Sequence, residues 1–342
     1  MARKTKHNSL TTPELIDKIS SENKRLISDY LLYLKSIQRA QSTIDQYLHD
    51  LNIFFVWNYR FNDNKNFVRL SKRDLISFQN WLIGSNENSP ARIRRIKSVL
   101  SSLSNYIENI LDDEYANYRS IVRKVESPVN QTVREKTVFS EIQLQNLLDK
   151  LVLLKQYDKA CLLALGIYSG RRKSELPRFK VKYFDDKNLI CGGSLYKTPE
   201  KVRTKGKGNG KYITCYTLAQ PFKPYLDMWL KRRVELGITS EWLFPAKDNQ
   251  NEPIKISTMN SYASTFTKML DGVDFYWHSL RHYFTTYLSR EGLPNTVIKD
   301  IIGWESTQMC DTYNDITADE LIGEYFNENG IVKKETKSLF GY

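Results

Sequence analysis

Apolar residues return at helical spacing almost without a break over residues 22–109, and this periodicity commits the first third of the chain to a helical fold. Within residues 43–55, Ile44, Tyr47, Leu48, Leu51 and Phe55 share one helix face. Ser71 is placed to cap a helix running through Trp81 that buries Leu75, Phe78 and Leu82. Pro90 suits the first turn of another helix, with Ile93, Ile96, Leu100, Leu103 and Ile107 along one side. Arg92, Arg94, Arg95 and Lys97 crowd the other faces of its first turns. The plain reading is a solvated basic face; the functional one is a helix whose cations meet phosphates.

The rest of the chain changes texture. Residues 1–19 read as a basic, polar tail, and residues 20–126 as a helical domain. Residues 127–136, with Pro128 and no periodicity, read as a linker, leaving 137–342 as a second domain. Ser140 and Gln143 make a capping box, followed by Leu144, Leu147, Leu148 and Leu151 at core spacing. The apolar stretch 160–168 then ends at Gly170. Residues 180–186, 187–193 and 210–218 carry the β-branched and aromatic residues of strands. From Pro221 to about Phe326 the pattern is helical again, apart from residues 241–253. The expected fold is therefore mainly α with a small antiparallel β-sheet, in two domains.

Several classes of function drop out. The longest apolar stretch is about half the length that crosses a membrane, and no apolar run follows the charged N-terminus as in a secretory signal. Cys161, Cys191, Cys215 and Cys310 lack metal-binding spacing and read as reduced thiols of a cytoplasmic protein. Lysine and arginine number 51 against 39 acidic residues, a net charge of +12 that favours a polyanionic partner.

Four segments concentrate scarce residue types. Two of the four histidines lie in His278-Ser279-Leu280-Arg281-His282, where i, i+4 spacing suits a metal but no third ligand or HExxH glutamate accompanies it. Ser169-Gly170-Arg171-Arg172-Lys173-Ser174-Glu175-Leu176 sets three cations just after a glycine at the end of an apolar helix. They do not suit a core, and a surface cluster complementing the helix dipole is the plain reading. Residues 201–211 interleave Lys201, Arg203, Lys205, Lys207 and Lys211 with three glycines, without the spacing of a nucleotide loop. That describes a basic hairpin suited to a DNA groove. Last come Gly303-Trp304-Glu305-Ser306 and Tyr313, the latter one tyrosine among 21.

In this order and spacing the segments resemble the tyrosine recombinase (phage integrase) family, with its Xer-like and Cre-like members. SGRRKSEL is similar to that family's TGLRxSEL box, which makes Arg172 the first catalytic arginine and Glu175 its acidic support; Arg171 stands where an apolar residue is usual. HSLRH is similar to HxLRH and implies His278 and Arg281, with His282 beside them. Trp304 occupies the place of a histidine that some members replace by tryptophan, and Tyr313 follows nine residues later, at the place of the nucleophile. The resemblance gives the hairpin lysine as Lys207, with Lys205 as the neighbouring choice. It spans residues 137–320 by motif, and the N-terminal region by pattern alone.

The chemistry asks for these residue types. Transesterification of a phosphodiester builds negative charge on two non-bridging oxygens, which two bidentate guanidiniums answer. A phenol of ordinary pKa about 10 needs nearby cations or a base, and the departing 5′-oxygen needs an acid. The resemblance implies His278 as base or phosphate donor, Lys207 as acid, Trp304 as an indole N–H donor, and a 3′-phosphotyrosyl intermediate needing neither metal nor ATP. It further implies specific sites on double-stranded DNA and a tetramer. In that tetramer the C-terminal segment of residues 319–326, a short helix, is exchanged between subunits; simple core sites are expected, with the need for accessory DNA-bending proteins left open. The DNA contacts are expected from Arg92, Arg94, Arg95, Lys97, Arg203, Lys205 and Lys211 of a phage-encoded or prokaryotic, nucleoid-associated protein. Alternatives are a dimer resolvase of Xer type, a type IB topoisomerase or hairpin telomere resolvase, and a DNA-binding protein that kept the fold without the chemistry.

Overall fold

The computed structural model describes residues 10–84, 88–129, 137–204 and 210–317, with the backbone of 326–327 and 330–331. They form two compact units, one N-terminal and one carrying the rest of the chain.

The N-terminal unit is helical: α1 (Pro13–Asp17), α2 (Ser21–Ser36), α3 (Gln41–Phe61), α4 (Lys72–Gly84) and α5 (Pro90–Ile110). Each start has its chemical reason. The Ser89 hydroxyl accepts from the Arg92 amide with Pro90 in the first turn, and Ser71 and Asp74 cap each other at the start of α4. The expected stripe of α5 is buried at Ile93, Ile96, Leu100, Leu103 and Ile107, each such side chain contributing roughly 1.5–3 kcal/mol. Phe54 joins α3 to this core through edge-on contacts with Phe55, Phe67 and Phe78. Residues 10–19, expected as part of a polar tail, instead pack: α1 is capped by Thr12, and Leu10 and Ile19 are buried in the N-terminal core because they supply apolar surface that the polar residues around them hid in the sequence.

The second unit opens with α6 (Glu141–Leu153), started by the expected capping box of Ser140 and Gln143. Next comes α7 (Tyr157–Ser169), the apolar helix at the heart of this unit. Strands β1 (Leu189–Ile190), β2 (Leu195–Lys197), β3 (Val202–Arg203), β4 (Tyr212–Ile213) and β5 (Tyr216–Leu218) follow. They split into two antiparallel sheets, β1-β2-β5 and β3-β4. The unit continues with α8 (Ala219–Glu235), α9 (Ile256–Met269), α10 (Ser279–Arg290), α11 (Asn295–Ile302) and α12 (Gln308–Tyr313). A further strand pair, β6 (Phe326–Asn327) and β7 (Gly330–Ile331), is antiparallel.

Three expectations on secondary structure change, the first being the strand over residues 187–193, where only Leu189–Ile190 is extended between 3₁₀ turns at Asp186–Asn188 and Cys191–Gly193. Residues 180–186 form a 3₁₀ turn over Val181–Phe184 instead of a strand, with Tyr183 and Phe184 turned inward against the aromatic core. Burial of two successive side chains on one side is incompatible with strand alternation. Of the helix expected over residues 319–326, only Phe326 is described, and it lies in a strand. Most of the expected linker, residues 130–136, lies outside the described residues.

Candidate active site

Tyr313 ends the short α12 and is buried. Its hydroxyl oxygen lies 2.9 Å from Nε2 of His278, the residue before α10. His282, one turn further along α10, stacks on the Tyr313 ring at 4.5 Å between centroids, and Trp304 packs from another side at 4.9 Å. Asp315 is 3.5 Å from His282 Nδ1, and the Asp315 amide donates to Thr286 Oγ1 of α10. His278, His282 and Trp304 thus enclose the tyrosine ring, while Thr286 and Asp315 tie the turn after α12 to α10. Asp315 and Thr286 were missed in the sequence because neither belongs to a motif and both act through contacts about 30 residues away.

Arg281, on the same helix, is fully buried. Its guanidinium carbon lies 5.0 Å from the centre of the Trp304 ring and 5.8 Å from that of Tyr313. Nη1 donates to the Gly170 carbonyl at 3.0 Å and Nη2 to that of Ile302 at 3.5 Å. Burial first, then the charges of Arg171 and Arg172, push Arg281 down to about 9, so it stays a cation at neutral pH. Its Nε and the indole N–H of Trp304 are buried and have no hydrogen-bond partner among the described residues. Buried donors left unanswered each cost about 1–3 kcal/mol, the signature of a site that awaits an acceptor.

Arg172 approaches from the turn after α7. Glu175, itself buried, takes a hydrogen bond from Arg172 Nη1 at 2.9 Å and another from the Arg172 amide at 3.0 Å. Thr204, after β3, accepts from Arg172 at 3.2 Å and donates to Glu175. Burial raises the Glu175 carboxyl, yet the Arg171 charge and the hydrogen bonds from Thr204 and Arg172 outweigh it and hold it below its ordinary value. Gly170 makes the geometry possible: it closes α7 in the left-handed region (φ 59°), and a Cβ there would meet Phe284 at 2.5 Å.

Arg171 corrects the expectation that these three cations stay out of the core. It is wholly buried, donating to the carbonyls of Ser169 and Ile301 at 3.0 and 2.7 Å and to the Cys215 sulfur at 3.5 Å. Three acceptors repay its desolvation, a compensation that the sequence does not display.

The remaining candidates fall elsewhere. Arg203 on β3 and Lys211 just before β4 are exposed, with Lys211 2.7 Å from Glu305, next to Trp304. Lys205 and Lys207 lie outside the described residues. In the N-terminal unit, Arg92 and Arg95 both bind the buried Asp50, at 2.5 and 3.2 Å. Arg94 donates to the Pro128 carbonyl and Lys97 to that of Val125. Among the described residues no group of three metal-ligating side chains is found, and no helix is long and apolar enough to cross a membrane.

Residues 137–320 match the model of the phage integrase family, and residues 26–117 that of its N-terminal SAM-like domain. The SPbeta prophage-derived recombinase-like protein YomM of Bacillus subtilis is 28% identical over 258 residues, 75% of this chain and 74% of that protein. Tyrosine recombinase XerA of Pyrococcus horikoshii is 23% identical over 304 residues, covering 87% of this chain and 92% of that one. Among solved structures, the Tn1549 transposon integrase in complex with circular intermediate DNA has the same fold. It gives a TM-score of 0.64 at 16% identity over 90% of this chain and 100% of that one. The chain belongs to the phage integrase family, whose tyrosine recombinases are DNA strand-transfer enzymes.

Proposed function

We propose that this chain cuts and rejoins DNA at specific sites through a 3′-phosphotyrosyl intermediate on Tyr313, integrating or excising a phage or other mobile element. The observation that carries the reading is the 2.9 Å contact of the Tyr313 hydroxyl with His278, beside two buried donors, Arg281 Nε and Trp304 Nε1, that find no acceptor among the described residues.

The Tyr313 oxygen attacks phosphorus and its proton passes to His278 Nε2. Charge gathering on the non-bridging oxygens is met by Arg281, Arg172 and the Trp304 N–H. Glu175 positions Arg172 by holding both its guanidinium and its amide, while His282 and Asp315 brace the tyrosine ring. As the bond from phosphorus to the 5′-oxygen breaks, Lys207 supplies the proton. The phosphotyrosyl ester conserves the energy of the original bond, so a 5′-hydroxyl from a second duplex reverses the step without metal or ATP. Arg92, Arg94, Arg95, Lys97, Arg203, Lys205 and Lys211 supply phosphate contacts. Four copies act on two sites in the cytoplasm, with the C-terminal segment exchanged between subunits. The mobile-element role leans on the likeness to a prophage-derived relative.

The test is covalent trapping in EDTA without ATP, using labelled DNA from the region flanking the protein's own gene and denaturing gels. A labelled adduct is expected from the wild type and none from Tyr313→Phe. An adduct surviving that substitution would overturn the assignment, and relaxation of supercoils with no mapped site would favour a topoisomerase.

A further inference from the structure

Two arginines grip one helix end. The last carbonyls of an α-helix have no partner within it and carry its negative pole. At the end of α11, Ile301 O accepts from Arg171 Nη2 at 2.7 Å, while Ile302 O is reached by Arg281 Nη2 only at 3.5 Å. The next two residues are Gly303, in the left-handed region at φ 76°, and Trp304; both their amides return to the Lys299 carbonyl, at 2.8 and 2.9 Å. Gly303 is tightly seated, since a Cβ there would meet Ile213 Cδ1 at 2.9 Å. Whatever fixes the end of α11 therefore fixes where Trp304 meets Tyr313.

Arg171 is built into that role. Its Nε is bonded to Ser169 O and its Nη1 to Cys215 Sγ, so its third arm, Nη2, reaches Ile301 from a rigid base. Its charge also faces Glu175, the buried carboxylate that orients Arg172. With an apolar residue here, as is usual in the box that SGRRKSEL resembles, both carbonyls would compete for Arg281. As it stands, Arg281 makes one short bond and one at the outer limit, and its Nε has no acceptor among the described residues.

We propose that Arg171 is a positioning residue for strand transfer: it takes over the capping of α11, which seats Trp304 and leaves Arg281 its donors for the scissile phosphate. The inference rests on the reading of Arg281 and Trp304 as phosphate-binding groups.

The experiment compares full-length wild type, Arg171→Leu and Arg171→Lys. Three quantities are measured on folded protein: affinity for a nicked duplex bearing the site where the wild-type adduct maps, single-turnover adduct formation on it, and amide exchange at Gly303 and Trp304. Arg171→Leu is expected to slow adduct formation by about 100-fold with DNA affinity little changed. It should speed exchange at Gly303 and Trp304 while α7 stays protected. Arg171→Lys keeps the charge but not the three-armed fork, and should recover all but roughly tenfold of the rate. Wild-type rate or unchanged exchange at 303–304 in a folded Arg171→Leu overturns the inference while the site reading stands. Equal losses in both variants, with exchange raised throughout the unit, would reduce Arg171 to general packing and overturn it too. Should Arg171→Leu not fold, Arg171→Lys decides alone, wild-type rate and exchange counting against the proposal. A wild type that forms no adduct overturns the site reading, and the inference with it.

Discussion

Each unit of this protein buries one carboxylate among arginines, and the two arrangements end differently. In the N-terminal unit, Asp50 is shared by Arg92 and Arg95 on one face of α5, and both guanidiniums extend from that buried anchor toward solvent. In the second unit, Glu175 faces Arg171 and Arg172, with Arg281 near enough for each charge to influence the others. There the guanidiniums of Arg171 and Arg281 run inward, onto carbonyls and a thiol, and a buried N–H of Arg281 has no acceptor among the described residues. The first arrangement sets two cations at a fixed place on a surface. The second keeps buried donors in reserve beside a tyrosine. Charge count does not separate them; the destination of each N–H does.

Substitutions can break or sharpen this contrast. The largest effect is expected from Arg281→Ala, which removes the leftover donor and its charge: single-turnover cleavage should fall by roughly 1000-fold on protein that still binds DNA. A loss below tenfold would mean that Arg281 is only a packing group. Asp50→Asn comes next. Taking the anion from two arginines should cost the N-terminal unit about 3 kcal/mol in urea unfolding, with cleavage of bound DNA little altered. An unchanged midpoint would show that solvent already meets the charge of Arg92 and Arg95. The smallest effect is expected at Arg94, which is exposed and, among the described residues, donates to the Pro128 carbonyl. Arg94→Gln should move stability by no more than about 0.5 kcal/mol, and lower the slope of log affinity against log salt by about 0.9 if it meets one phosphate.

Much of this was legible in the sequence, for local reasons. The stripe of α5 and the capping box of α6 are written within single helices, and they hold as read. His278, Arg281 and His282 lie within one helix and its cap, so the motif that names them also sets their mutual geometry, and nine residues bring Trp304 round to Tyr313. What escaped the reading depends on distant partners. Arg171 is buried because its acceptors include Ile301, 130 residues away, and Asp50 meets Arg95 across 45 residues. The strands are two or three residues long, too short for alternation to declare itself, which is why residues 180–186 looked extended and form a turn.

The central claim is that one tyrosine among 21 carries the chemistry. The direct measurement is mass spectrometry of the covalent protein–DNA adduct, digested with protease and nuclease, to find the peptide that bears a phosphonucleotide. The account predicts a single modified residue, Tyr313, attached through a 3′-phosphate. Modification at any other tyrosine, or at a serine, would contradict it.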